Sequence, residues 1–149
     1  MTRVNCLHPK YLLDEHVKAD VREGLRPVGD VVSGRTNLKG CPEDWTLGKG
    51  HVLFMRKHLS YTITHWLECQ QRYKELGYSG YDMSVLMNNV PEEFLNDYTP
   101  TKKAMRSNLA RIICRWRNRK TKYHFNKKSV DTRKEMIQYI QYVKTENNL

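Results

Sequence analysis

Apolar residues recur with a helical period along almost the whole of this chain, a pattern that favours helices over sheet. Leu13, Val17 and Val21 fall at i, i+4 and i+8, and Gly24 follows as a stop signal. Val52, Met55, Leu59, Ile63, Trp66, Tyr73 and Leu76 predict one long helix over residues 51–76, with Gly77 just past its end. Met105, Leu109, Ile112, Ile113 and Trp116 mark the buried face of a helix that opens after Thr99-Pro100. Met136, Ile140 and Val143 do the same for a last helix over 133–144, and Pro91 fits the first turn of a short one over 92–96. Residues 27–48, rich in Gly, Pro, Asn and Asp, read as irregular, as do residues 77–91. The predicted class is all-α: a compact single-domain helical bundle with irregular loops and a basic C-terminal helix and tail. Residues 1–130 form its main body, and 131–149 a helical extension packed on or next to it.

A chain of 149 residues can bury about 68–70% of its unfolded surface, enough for a core without staples. No apolar run approaches the length of a membrane span, and Arg3 is not followed by the apolar stretch of a secretion signal. The expectation is an intracellular protein without a membrane partner. The four cysteines, Cys6, Cys41, Cys69 and Cys114, lie far apart and read as reduced thiols. His58 and His65 read as helix-face neighbours, and no metal is expected. The balance of 26 Lys+Arg against 16 Asp+Glu gives a net charge of +10, which favours a polyanionic partner. Residues 102–122 carry Lys102, Lys103, Arg106, Arg111, Arg115, Arg117, Arg119, Lys120 and Lys122 and no acid. Trp116, Tyr123, His124 and Phe125 interleave with this run, a combination suited to phosphates and exposed bases. Trp116 itself continues the buried stripe and reads as core.

No P-loop, G-x-S-x-G, H-E-x-x-H or acidic metal-nuclease cluster is present. Among the remaining nucleophiles is the α-amino group, whose ordinary pKa of about 7.7–8.0 leaves part of it neutral near pH 7. A neutral amine can form a Schiff base with a sugar aldehyde, as a lysine does. The second residue, Thr2, is small enough to permit removal of Met1, which would free its amine.

Three blocks then resemble one family. "MTRVN" and "DEHVKADVREGLR" are similar to the opening of the pyrimidine-dimer DNA glycosylases, the phage endonuclease V family of ultraviolet repair. Thr2, Arg3, Asn5, Asp14, His16, Ala19, Arg22, Glu23 and Arg26 fall in register with its pattern. "LGKGHVLFM" and "VPEEFLNDYTP" resemble two further blocks in the same order, so the likeness covers about residues 1–100.

The resemblance implies an N-glycosylase coupled to abasic-site lyase activity, acting as a monomer on double-stranded DNA with ultraviolet lesions, with no cofactor. It implies an intracellular site of action, cytoplasmic or nucleoid-associated, and a phage-encoded origin is compatible with it. The Thr2 amine would attack C1′ of the damaged nucleotide, and Glu23 would stabilise the cationic sugar and move protons. Arg22 and Arg26 would bind phosphates, their charge lowering the pKa of Glu23 and of the amine. Arg3 and His16 would contact the backbone or sugar, and Lys120, Lys122 and Tyr123 of the basic tail would complete the DNA surface. Position 15 departs from the family, being Glu where the phage enzyme has Gln. A second carboxylate there is expected to repel phosphate and raise the pKa of Glu23. "TKYHFNKK" likewise lacks the family's tryptophan and glycine, which bears on lesion recognition more than on catalysis.

Overall fold

The computed structural model of the chain describes residues 4–149, so Thr2 and Arg3 lie outside the described residues. Seven helices and one small hairpin follow in order among them: α1 Asp14–Glu23, α2 Arg26–Val32, α3 His51–Lys57, α4 Leu59–Glu75, α5 Ser84–Met87, α6 Lys102–Arg117, β1 Tyr123–Phe125, β2 Lys128–Val130 and α7 Arg133–Asn147. The protein is all-α apart from that hairpin, and no described helix is long and apolar enough to cross a membrane.

The main core gathers Val17 and Val21 of α1, Cys69 of α4, Leu109 and Ile112 of α6, Val130 of β2, and Met136, Tyr139 and Val143 of α7. Each such aliphatic side chain contributes about 1.5–3 kcal/mol when fully buried. Residues 131–149 thus share one core with the first helix. A capping box opens α7, in which Thr132 Oγ1 accepts the Glu135 N–H (3.2 Å) and the Glu135 carboxylate accepts the Thr132 N–H (2.9 Å). Two smaller clusters flank this core. Val4, Cys6, Trp45, Phe54, Met55, Tyr61 and Ala104 form one, and Leu25, Val28, Val31, Leu59 and Trp66 the other.

Several elements differ from the sequence reading. Residues 51–76 form two helices, broken at His58 (φ −114°, ψ 58°). Thr62 Oγ1 donates towards the Met55 and His58 carbonyls there, and the Asn96 amide donates to the Lys57 carbonyl (2.8 Å), so the loop before α6 stitches the break. Met55 and Leu59 keep the apolar period across it, which hides the break in the sequence. Arg26–Val32 is helical rather than irregular, opened by Pro27 and held by Val28 and Val31 in the core. Ser84–Met87 adds a single turn of helix, and residues 92–94 form a 3-10 turn.

The last difference is the hairpin. Tyr123 pairs with Val130, His124 with Ser129 and Phe125 with Lys128. Asn126 (φ 50°) and Lys127 (φ 70°) turn the chain in the left-handed region, the signature of a two-residue hairpin turn. Trp116 lies at the edge of the core, its Nε1–H donating to the Val130 carbonyl (2.6 Å) with the Arg119 guanidinium 3.9 Å above its ring.

Candidate nucleic-acid interface

Helix α1 organises the site, and its two ends behave differently. At its start, Asp14 is buried and accepts from Arg72 Nη2 (2.8 Å) and from the Asn126 and Lys127 backbone N–H groups (2.9 and 2.8 Å). Arg72 also donates to the Pro9 and Leu12 carbonyls and to the Asn126 side chain (3.3 Å). Glu15 accepts the His124 N–H (2.9 Å) and pairs with His124 Nδ1 (2.6 Å). Two adjacent carboxylates therefore fasten the hairpin to the helix, and the left-handed turn is caught by the group that receives its N–H donors. Glu15 is committed to His124.

One turn further along, Glu15, His16, Ala19, Asn5, Tyr123, Arg111 and Arg115 line a cavity of about 100 Å³. The His16 ring meets Tyr123 edge-on at 5.5 Å, and its Nδ1 is shielded from solvent without a hydrogen-bond partner among the described residues. Burial pushes its pKa down to about 4, and the charges of Arg115 and Arg111 act in the same sense against Asp20 and Glu15. His16 is thus neutral at physiological pH and suited to a hydrogen bond with a sugar or base rather than to ion pairing with phosphate. A wider hollow of about 430 Å³ adjoins, lined by Arg111, Cys114, Arg115, Asn118, Arg119, Lys120 and Tyr123. Lys120 and Tyr123 are thereby brought together with the arginines of α6, and Lys122 is exposed on the approach to β1. Arg111 and Arg115 stood in the sequence only as members of the 102–122 basic run, not as residues of a particular site. Their i, i+4 spacing put them on one face, but the facing residues are about a hundred positions away.

At the other end of α1, Arg22 and Arg26 are exposed and Glu23 is half-buried between them. Arg22 lines an apolar cleft of about 260 Å³ with Val21, Leu25, Trp66, Tyr81 and Met83. A Cβ on Gly24 would fall 3.1 Å from the Trp66 ring and 2.4 Å from the Asp20 carbonyl oxygen, so glycine permits the close turn into α2. Lys18, one helical turn before Arg22, sits over the Tyr78 ring at 4.8 Å.

Between the two ends, buried Asp20 accepts from the Asn5 N–H (3.2 Å), from the Asn5 side-chain amide (3.1 Å) and from His65 Nε2 (2.9 Å). Cys69 completes a group whose ligand-type atoms lie within 4.8 Å of one another. Burial holds the Cys69 thiol well above its ordinary pKa, and the Asp20 oxygens are occupied by hydrogen bonds. The group reads as a satisfied polar core rather than a set of metal ligands. A further hollow of about 370 Å³ is lined by His8, Glu68, Asp97 and Tyr98 and, among the described residues, by no lysine or arginine. No family model matches the chain.

Proposed function

We propose that this protein is a DNA repair enzyme of the glycosylase and abasic-site lyase type, acting on ultraviolet-damaged double-stranded DNA through its N-terminal amine. The observation that carries the reading is the hydrogen-bonded attachment of Asn5 to Asp20. Asp20 and Glu23 are i, i+3 neighbours on α1. The segment that follows Thr2 is therefore fastened one helical turn from the only carboxylate flanked by Arg22 and Arg26.

With Met1 removed, the Thr2 amine attacks C1′ of the damaged nucleotide and the glycosidic bond breaks, the base leaving with a proton. The amine loses its protons as the C1′ imine forms with opening of the sugar ring. Loss of a C2′ proton then expels the 3′ phosphate by β-elimination, and water releases the amine. Glu23 stabilises the cationic sugar and carries protons. Arg22, Arg26, Arg111, Arg115, Lys120 and Lys122 meet phosphates, and His16 and Tyr123 meet sugar or base. An extrahelical nucleotide is needed, since C1′ is otherwise shielded. The cleft of about 260 Å³ beside Arg22 offers room for a planar ring. Borohydride trapping in EDTA on duplexes with a single pyrimidine dimer or abasic site tests this. We expect a covalent adduct mapping to Thr2, and Glu23→Gln to abolish nicking while binding persists. The absence of any adduct, or an intact mass retaining Met1, would overturn the mechanism. An adduct only on duplexes with oxidised or alkylated bases would reassign the lesion.

A further inference from the structure

The first described residues, Val4 to Leu7, are held in a manner unusual for a chain end. Terminal residues fray unless tied down, and an extended segment usually finds its partners in a sheet. Here every backbone N–H of the four goes to a buried side chain instead. Val4 donates to His51 Nε2 (3.1 Å), and Asn5 to Asp20 (3.2 Å). Cys6 and Leu7 both donate to Asn108 Oδ1 (2.8 and 2.9 Å). The Val4 carbonyl accepts from Trp45 Nε1 (3.3 Å), and the Cys6 carbonyl from the Tyr61 hydroxyl (3.1 Å).

The holding side chains are themselves fixed. His51 Nδ1–H donates to the Thr46 carbonyl (2.7 Å), which leaves Nε2 with the lone pair that accepts from Val4. The Asn108 amide donates to Asn5 Oδ1 (2.7 Å), and Asp20 is bonded to His65. Asp20, His51, His65 and Asn108 are all buried. Polar groups are costly in a core unless fully partnered, and an apolar anchor would serve burial alone. What this arrangement supplies is a fixed position and direction for the backbone.

We infer that Asp20, His51 and Asn108, with Trp45 and Tyr61, are positioning residues that aim the chain's N-terminal amine. The inference rests on the glycosylase reading above. Covalent geometry supports it, because the Thr2 Cα can lie no more than about 7.6 Å from that of Val4. A nucleophile at a free chain end would lose the advantage of orientation, where a misplacement of about 1 Å can cost a hundredfold in rate. The last residue held is Val4, two positions after Thr2 in the sequence, so covalent geometry limits how far the amine can lie from the clamp.

The experiment pairs backbone amide exchange with single-turnover borohydride trapping on an abasic-site duplex. In the wild-type protein the amides of Val4 to Leu7 should be protected despite their place at the chain end. His51→Leu should abolish protection at Val4 and slow adduct formation about 10- to 100-fold with DNA affinity unchanged, and His51→Gln, which restores an acceptor, should recover part of the rate. Should His51→Leu fail to fold, the Trp45→Phe/Tyr61→Phe double variant keeps an aromatic ring at each position, removes both donors and carries the same comparison. Adduct formation at the wild-type rate from a variant with unprotected amides would overturn the positioning role alone. Free exchange at Val4 to Leu7 in the wild-type protein would overturn the clamp itself. A protected wild-type protein that forms no adduct would overturn the glycosylase reading and this role with it.

Discussion

Asp14 and Glu15 open helix α1, and Arg22 and Glu23 close it with Arg26 just beyond, yet the two sets of charges have different surroundings. The carboxylates at the start are bound to Arg72, His124 and three backbone N–H groups of the hairpin. The arginines at the end stand exposed on either side of half-buried Glu23. Ten residues of one helix thus carry a hydrogen-bonded structural anchor at one end and an exposed charged group at the other. A charged residue's role follows from what the rest of the chain brings to it. The hairpin's N–H donors are fixed in number and direction, so the carboxylates that receive them are committed. Among the described residues the exposed arginines receive nothing comparable, which fits the proposed role at phosphate.

The largest expected effect lies at the anchored end. Asp14→Ala would leave the buried Arg72 guanidinium without its counter-charge and the turn at Asn126 and Lys127 without its acceptor. Breaking a buried pair of this kind costs about 3–5 kcal/mol, which urea denaturation would register. A loss below about 1 kcal/mol would erase the distinction between the two ends. His16, just inside the anchored end, gives the next effect. Its pKa falls from the ordinary 6.5 to about 4 in the folded protein, mainly through burial. The unfolded chain therefore takes up the proton first as pH drops. Stability should decline by about 2–3 kcal/mol between pH 6.5 and 4 and this contribution should level off below. His16→Gln should flatten that part of the pH–stability curve relative to wild type; parallel curves would refute it.

Glu15→Gln should be milder, about 1 kcal/mol, because a glutamine carbonyl can still accept the His124 N–H while the charge-assisted bond to the imidazole is lost. The pair is partly open to solvent, which limits its worth. Faster amide exchange confined to residues 123–130 would locate the effect in the hairpin. Exchange that quickens throughout α1 instead would mean that Glu15 supports the helix itself.

This contrast was only half visible in the sequence. The helical stripes of α1, α6 and α7 were legible because each buries a continuous apolar face. Arg22, Glu23 and Arg26 were legible as a compact local group. The hairpin was not, since strands of three residues carry no usable alternation and Asn126-Lys127 lacks the glycine that announces such a turn. Its backbone N–H groups are held by Asp14 and Glu15, more than a hundred positions earlier. The break at His58 was masked by an apolar period that runs through it. Asp20, His51 and Asn108 were invisible as a set for a related reason. Their partners are backbone groups of Asn5, Val4, Cys6 and Leu7, and a backbone amide leaves no mark in a sequence.

The smallest expected effect on stability is at the exposed end, and it sharpens the comparison most. The exposed Arg22 side chain makes a long hydrogen bond to the Lys18 carbonyl (3.3 Å) and otherwise borders the cleft beside Trp66 and Tyr81. Arg22→Ala should therefore change unfolding free energy by no more than about 0.5 kcal/mol. If Arg22 neutralises one phosphate, the same substitution should reduce the slope of log affinity against log salt by about 0.9 for duplex DNA. Asp14→Gly or Asp14→Ala, measured at a temperature where the variant stays folded, should leave that slope unchanged, because Asp14 faces the hairpin and Arg72. The pair of measurements separates folding from binding on one helix. A salt slope unaltered by Arg22→Ala would remove Arg22 from the proposed DNA surface and shift that proposal towards Arg111, Arg115 and Lys120, which line the hollow beside Tyr123.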